Sequence, residues 1–400
     1  MSDYNAELHA RPSIYFEGPA IVEHVAFLMP QPVGEGVEGR LNHVLDEPAD
    51  ASVRIERHTE FVSVTRLRRL DKPAEEWPPL ASSEHELAKL AGLEEAVLVC
   101  RVGLLVRGEA PAELGPVLAA NGFGDTAASQ IGGGSAVACS DFRVREDNSS
   151  RILLFNKDLN AHRLGRMVRR LLEIETYRAM ALLGLPEARR LNPLLATFDQ
   201  TLVQLTHRHI AAPVTEHKQL LDEITVLSSQ IIRVTAETRN RFGATAAYAQ
   251  IVEERIALLR EAHVPGFQRY GTFVARRFRP AIRTCAATSV RLEQLSGATT
   301  HLINLLQTRI QVEIEIQNAA QIQAMADRAA TQVRIQRAVE GFSIIAISYY
   351  LLGMLKTALE ASEHAGIHID PVVMLVTIPV LLIAVAVAVV RVKHALTGDH

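Results

Sequence analysis

The chain has 400 residues, of which 48% are apolar and 22% are charged, and its formal net charge at pH 7 is −3. This length predicts more than one domain, and this composition excludes a disordered or low-complexity chain. The slight acidic excess argues against nucleic acid as a partner, because proteins that coat nucleic acid are basic. The three cysteines are widely separated and form no CxxC pair, which is typical of a reducing compartment. We therefore expect no disulfide scaffold, no metal ion, no cofactor and no bound nucleic acid.

The first 157 residues alternate between strand-like and helix-like patterns. Strands are predicted where apolar and polar residues alternate or where apolar runs are short, and short helices follow cap residues and prolines. The predicted strands are Ala20–Met29, Val53–Ile55, Phe61–Leu67, Ala96–Val106, Ser135–Val144 and Arg151–Phe155, and the predicted helices are Gly36–Asp46, Glu84–Ala91 and Ala112–Ala120. The last two strands flank the turn residues Asp147-Asn148-Ser149 and should form a hairpin. This pattern predicts an α+β cytoplasmic domain over residues 1–157.

Residues 158–340 predict an elongated helical region. Apolar residues recur at helical spacing from Leu164 onward. The predicted breaks between its helices are Gly184-Leu185-Pro186, Pro213, Gly243 and Pro265-Gly266. The stretch from Pro280 to Glu340 contains one glycine and no further proline, and it predicts one long membrane-proximal helix.

That long helix carries an apolar stripe along much of its length. The stripe consists of Leu292, Leu295, Leu302, Leu306, Ile310, Ile314, Ile322, Met325, Ala329 and Val333. Steps of four residues outnumber steps of three, so the helix is coiled-coil-like without a clean heptad seam. The stripe can pack against earlier helices of the same chain or against copies of itself. The amount of apolar surface favours a homo-oligomer.

Two apolar segments near the C-terminus predict transmembrane helices. Val372 to Val390 is 19 residues long without a charge and spans about 28 Å, close to the ~30 Å hydrocarbon core of a bilayer. Gly341 to Leu355 is also uncharged, and Lys356 can extend toward the headgroups so that this span reaches residue 359. Basic residues flank the pair and the connection is acidic, which places both termini in the cytoplasm. The predicted parts are a two-helix transmembrane hairpin of residues 341–359 and 372–390, an outer loop of residues 360–371 and a cytoplasmic tail of residues 391–400.

Several short motifs resemble those of a known bacterial family. They are Glu7-Leu8-His9-Ala10-Arg11-Pro12, Arg57-His58-Thr59-Glu60-Phe61, Asp141-Phe142-Arg143, Glu313-Ile314-Glu315-Ile316-Gln317-Asn318, Val339-Glu340-Gly341-Phe342-Ser343 and Ile347-Ser348-Tyr349-Tyr350. In this order, over essentially the whole chain, they resemble the predicted membrane-anchored proteins of domain of unknown function family 3422. The resemblance implies a location in the bacterial inner (cytoplasmic) membrane and implies no activity.

The order of parts is also similar to that of CorA-type magnesium channels. In those channels the first span ends in a Gly-Met-Asn motif that holds the hydrated ion at the pore mouth. Here the corresponding residues are Gly353-Met354-Leu355. An apolar Leu355 side chain cannot hydrogen-bond a hydrated cation, so the likeness fails at the residue on which selectivity depends.

Polar residues of the family-like motifs form the candidate site of the N-terminal domain. They are His9, Arg11, Arg57, His58, Glu60, Asp141 and Arg143. Histidine beside a carboxylate is suited to acid–base chemistry, and arginine to binding an anion. The same residues can equally form ion pairs across strands, and the sequence leaves open whether they converge. The run Gly132-Gly133-Gly134-Ser135 lacks the Lys-Ser/Thr of a phosphate loop and predicts a turn.

These observations favour a membrane-anchored cytoplasmic scaffold or interaction protein over an enzyme. Its expected partners are the lipid bilayer and further copies of the chain. One alternative is a CorA-like divalent cation channel or transporter. The second alternative is a ligand-binding or enzymatic N-terminal domain.

Overall fold

The computed structural model describes residues 14–29, 44–47, 51–80, 83–90, 93, 97–364 and 371–397. The chain divides into two compact units between Leu305 and Leu306. The first unit is an α/β sheet domain followed by long helices. The second unit contains the end of a very long helix and one further apolar helix.

Within the described residues, the first unit is built on a mixed sheet of nine strands. Its strands are β1 Ala20–Leu28, β2 Val44–Glu47, β3 Ala51–Arg57, β4 Phe61–Arg69, β5 Val97–Arg107, β6 Ala127–Ile131, β7 Ala136–Ser140, β8 Ser150–Asn156 and β9 Ala262–His263. The order across the sheet is β2-β3-β4-β1-β5-β8-β7-β6-β9. Among the described strands, β5 and β8 pair in parallel and the other neighbours pair antiparallel.

Seven α-helices lie in the described residues. They are α1 Glu84–Leu90, α2 Leu114–Ala120, α3 Ala161–Leu182, α4 Gly184–Ala211, α5 His217–Leu259, α6 Tyr270–His364 and α7 Pro371–Thr397. Local sequence explains how α1 begins, because the Ser83 N–H donates to Glu86 Oε2 at 2.8 Å and the Glu86 N–H donates to Ser83 Oγ at 3.2 Å. The Asn160 side chain likewise accepts a hydrogen bond from the Arg163 N–H at the start of α3.

Both faces of the sheet are covered. One face packs against α3, α5 and the first turns of α6, with Val22 and Leu104 from the sheet and Leu171 from α3 in this core. The other face is covered by α1, α2 and the segment that contains Trp77. Two-sided burial explains why the central strand β1 is almost continuously apolar.

The sequence prediction placed most of these elements correctly, but it missed β6 and β9 and extended the strand Ser135–Val144 four residues beyond the end of β7. It also failed at three further points. Val44–Glu47 is a strand, so the predicted helix Gly36–Asp46 is wrong at its end, and residues 36–43 lie outside the described residues. The predicted break at Gly243 is also wrong, since Gly243 lies within α5. A helical glycine costs only about 1 kcal/mol, and buried residues before and after it in the sequence hold the helix together. Pro280 lies within α6, where buried Phe278 and Cys285 hold the helix on either side of the proline.

The structure confirms two turns that were predicted from the sequence. The strands β7 and β8 form the predicted hairpin, in which the Ser149 N–H donates to Asp147 Oδ1 at 3.0 Å. Gly132, Gly133 and Gly134 all have positive φ, between 65° and 90°, and they form the turn from β6 to β7. Only glycine adopts three such conformations in succession without strain.

The second unit is dominated by exposed apolar helix. Within the described residues, α6 contains a segment that is long and apolar enough to cross a membrane, and only 6% of an apolar 18-residue stretch in it is buried. A shorter apolar stretch, Leu375–Arg391, follows in α7. The helix α6 continues without a break through Glu340 and Gly341 to His364, so residues 360–364 of the predicted outer loop 360–371 are helical instead. Pro371 already belongs to α7, and residues 365–370 lie outside the described residues.

Candidate functional site

A cavity with both polar and apolar lining residues lies between the sheet and helix α3 in the first unit. Strands β1, β3 and β4 form its floor, and residues 165–177 of α3 form its roof. It has about 40 Å³ of space for water-sized groups. A buried water occupies roughly 10–15 Å³ on this measure, so the cavity holds about three water molecules.

Strand register places the polar floor of this cavity in two neighbouring rows. His24 of β1 pairs with Thr65 of β4, which pairs with Arg54 of β3. The next row on the same face contains Ala26, Ser63 and Glu56. Because successive side chains on a strand point to opposite faces, Arg54 and Glu56 face the cavity while Val53 and Ile55 pack on the other side.

His24 is buried and held by two threonine hydroxyls. Its Nδ1 lies 2.8 Å from Thr65 Oγ1 and its Nε2 lies 2.8 Å from Thr176 Oγ1. Thr176 donates its own hydroxyl proton to the Leu172 carbonyl, so it accepts from His24, and we assign the proton to Nε2. Burial, followed by the charges of His58 and Arg54, lowers the pKa of His24 to about 3. The imidazole is therefore neutral at physiological pH.

A network of alternating positive and negative side chains crosses the cavity from the sheet to the helices. Arg54 donates to Glu56, and Arg169 of α3 lies 3.9 Å from the same Glu56 oxygen. Arg169 also donates to Glu173 at 2.7 Å, and Glu173 accepts a second hydrogen bond from Arg255 of α5. Such pairing satisfies charges that would otherwise be costly to bury. The network also links β3, α3 and α5 through ion pairs.

The segment Ile14–Phe16 closes one side of the cavity; we call it the strap. Ile14 and Phe16 line the cavity, and the Tyr15 ring lies 4.3 Å from that of His162. The strap crosses α3 at Gly165, where any Cβ would collide with the carbonyl oxygen of Ile14. Close approach of two backbones is the reason that glycine is needed here.

The turn between β3 and β4 carries two of the sequence-predicted residues, of which one reaches this cavity. His58 lines the cavity and stacks on Phe61, with ring centroids 4.0 Å apart. Glu60 accepts hydrogen bonds from Arg241 Nη2 at 2.6 Å and from the Tyr248 hydroxyl at 3.0 Å, both on α5. Burial and then the Glu60 carboxylate raise the pKa of Tyr248. Glu60 therefore fastens the sheet to the helical region.

Asp141 and Arg143 belong to a different part of the sheet. Asp141 is buried and accepts from the Gly124 and Arg143 N–H groups, each at 3.2 Å, and from Arg145 Nη2 at 2.9 Å. The Arg143 guanidinium packs against Gly124. Four strand steps separate β4 from β7, which corresponds to about 19 Å. Asp141 fixes the β7–β8 loop and does not face the cavity.

The seven sequence-predicted residues therefore do not form one cluster. His58 lines the cavity and Glu60 contacts α5 from the same turn, whereas Arg57 is in register with Val62 on the opposite face of the sheet. His9 and Arg11 lie outside the described residues. Sequence reasoning missed several cavity residues, which are His24, Arg54, Glu56, Ser63, Thr65, Arg169, Glu173 and Thr176. Polar residues at every second position, 54, 56 and 58, form the sequence pattern from which this polar face of β3 could have been predicted.

The chemistry of this cavity suits binding more than acid–base or nucleophilic catalysis. A histidine with a pKa of about 3 is a poor proton acceptor at neutral pH. Burial raises the pKa of the nearby Cys100 thiol to about 12, so this cysteine is not a ready nucleophile. Among the described residues, no group of three or more His, Cys, Asp or Glu side chains is placed to hold a metal ion.

The fold and cavity define an α/β sheet domain joined to long apolar helices. The chain belongs to the family described as protein of unknown function (DUF3422), whose model matches residues 2–396. The family predicted from the sequence motifs is thus confirmed. This match gives no support to the likeness with CorA-type channels. No curated protein matches the chain.

Proposed function

We propose that this protein is a membrane-anchored interaction protein, held in the bacterial inner membrane by a C-terminal two-helix hairpin with both termini in the cytoplasm. The observation that carries the proposal is the exposure of large apolar side chains at the end of α6 and along α7. Tyr349 and Leu375 are each 75% exposed. Others in the same two segments are Phe342, Ile345, Tyr350, Met354, Val372, Val380 and Ile383. A continuous apolar surface of this kind requires a lipid or protein partner.

A second surface of α6 supports the interaction role. The first four residues of the apolar stripe, from Leu292 to Leu306, are buried. The later stripe residues Ile314, Ile322 and Met325 are exposed. Charged residues are interleaved with this later part, so it suits an aqueous protein partner better than lipid. A second copy of the chain supplies the same surface and is the partner we propose.

Membrane extraction and native mass spectrometry test the two parts of the proposal on the full chain. We expect the protein to stay with membranes in alkaline carbonate, and release into the soluble fraction would contradict the anchor. We expect a dimer or higher oligomer after detergent extraction, whereas a monomer would contradict self-association. A closed ring of about five copies would favour a cation channel instead, since only a ring of two-span subunits leaves a central pore.

A pair of substitutions distinguishes a role of the later stripe in assembly from a general effect of added negative charge on the helix. Ile322→Glu places a carboxylate on the exposed stripe, whereas Gln321→Glu places one on a neighbouring exposed position of the same helix. We expect the first to shift the oligomer toward monomer and the second to leave it unchanged. Equal behaviour of the two variants would contradict assembly through this surface.

A further inference from the structure

The polar wall of the cavity offers hydrogen-bond donors that protein acceptors do not use. The Arg54 side chain is 7% exposed, and its guanidinium carries five N–H donors. Within the described residues its one side-chain hydrogen bond is to Glu56. Ser63 is buried in the adjacent row, and its hydroxyl has no side-chain hydrogen bond within the same residues. Both residues line the cavity, and their donors are not sealed inside the protein, so an occupant that supplies oxygen atoms can accept hydrogen bonds from them.

The charge balance of the cavity favours a monoanion. Arg54 and Arg169 are each paired with a glutamate, Glu56 and Glu173 respectively. Arg255 pairs with the same Glu173, so this network of three arginines and two glutamates carries one net positive charge. A doubly charged oxyanion would therefore lie beside two carboxylates in a poorly solvated site, where like charges repel strongly. A single carboxylate can share the guanidinium donors without displacing either glutamate.

The rest of the lining is apolar and restricts the size of the occupant. Phe16 from the strap, Leu67 from β4, and Val168 and Leu172 from α3 are all buried around the cavity. The available space of about 40 Å³ accommodates a carboxylate with only a few carbon atoms. An occupant with one polar end and one short apolar end matches this division of the lining.

From this geometry we infer that the cavity binds a short-chain monocarboxylate. The carboxylate lies between Arg54, Ser63 and Arg169, and the hydrocarbon chain lies under the strap against Leu67 and Leu172. The inference is independent of the membrane anchor, because the cavity lies within the first unit. It assigns a ligand-binding role to the N-terminal domain.

Equilibrium dialysis of radiolabelled butyrate against the detergent-solubilised full chain tests this assignment. We expect saturable binding that unlabelled butyrate displaces and that n-butanol and inorganic phosphate do not. The alcohol has the same chain without the carboxylate, and phosphate is an oxyanion without the chain. Absence of saturable binding would overturn the proposal, and so would phosphate competing as well as butyrate.

Variants locate the binding to this cavity. Arg169→Gln should weaken butyrate binding by at least about tenfold, which corresponds to the loss of one charge-assisted hydrogen bond. Arg166→Gln is the matched control, because Arg166 is exposed on the same helix and does not line the cavity. Ser63→Ala should weaken binding while preserving the fold, and it decides the question if Arg169→Gln does not fold. Equal loss in Arg166→Gln would overturn the assignment.

Discussion

His24 couples the stability of the sheet domain to pH. Its pKa is about 3 in the folded chain against 6.5 for an ordinary histidine. Between these values the unfolded chain binds a proton that the folded chain does not, so stability falls as the pH drops through this window. The slope approaches 1.4 kcal/mol per pH unit, about the free energy of one pKa unit. We expect His24→Gln to flatten this acid-side slope.

Urea unfolding of the full chain in detergent measures that slope between pH 4 and pH 7. Trp77 is the one tryptophan in the sequence and packs against Phe123 in the first unit, so its fluorescence reports this domain. His85→Gln is the control, because His85 is exposed on α1. The prediction fails if both variants keep the wild-type slope.

Gly165 determines whether the strap can lie across α3. Gly165→Ala places a methyl group against the Ile14 carbonyl, so the strap must shift. We expect a destabilisation of about 1–3 kcal/mol, as for overpacking of a core, and faster hydrogen exchange in residues 14–20. Gly243→Ala is the control, since nothing lies within 4 Å of its added Cβ, and a helical alanine should stabilise by up to about 1 kcal/mol. Slow exchange in residues 14–20 of Gly165→Ala would show that the strap tolerates the methyl group.

At the level of elements, the contact of Glu60 with α5 joins the sheet to the helical region. A charge-assisted hydrogen bond of a partly buried carboxylate is worth about 1.5–3 kcal/mol. A double-mutant cycle of Glu60→Gln and Arg241→Gln should give a coupling energy in this range, measured by unfolding of the full chain. The exposed pair Glu187 and Arg190 on α4 should couple much more weakly. Equal coupling in the two cycles would show that Glu60 is only a surface contact.

Elements with local causes could be predicted from the sequence, and those decided by tertiary packing could not. The helix predicted at Glu84–Ala91 has such a local cause and is confirmed as α1, which begins with the reciprocal hydrogen bonds of Ser83 and Glu86. Gly243 and Pro280 look like helix breakers in isolation, but the packing of α5 and α6 overrides their local preferences. The same distinction explains why the three glycines of the β6–β7 turn were interpreted correctly.

The candidate site shows more clearly what could not be predicted from the sequence. His58 and Glu60 were found because they share one short motif. His24, Arg54 and Thr65 come together only through the register of three strands, and that register depends on the whole sheet. No local pattern states that β1 lies between β4 and β5. The sequence therefore predicted His58 at the edge of the cavity but none of the residues that form its floor.

At the scale of the whole molecule, the distribution of charge predicts the topology of the proposed membrane hairpin. Basic residues lie before the apolar end of α6 and after that of α7, whereas the connection between the two helices is acidic. Positively charged flanks remain on the cytoplasmic side of a membrane. The sheet domain and the C-terminus should therefore share one side of the bilayer, and the connection should lie on the other.

Labelling of single cysteines with a membrane-impermeant maleimide tests this topology. The three native cysteines are first replaced in the variants Cys100→Ser, Cys139→Ser and Cys285→Ser. We expect Ala361→Cys to react in intact spheroplasts, and Lys72→Cys and Thr397→Cys to react only in inside-out vesicles. Reaction of Ala361→Cys and Thr397→Cys from the same side would mean that α7 does not cross the bilayer. In that case its exposed apolar residues, Leu375 and Ile383 among them, would need a protein partner instead of lipid.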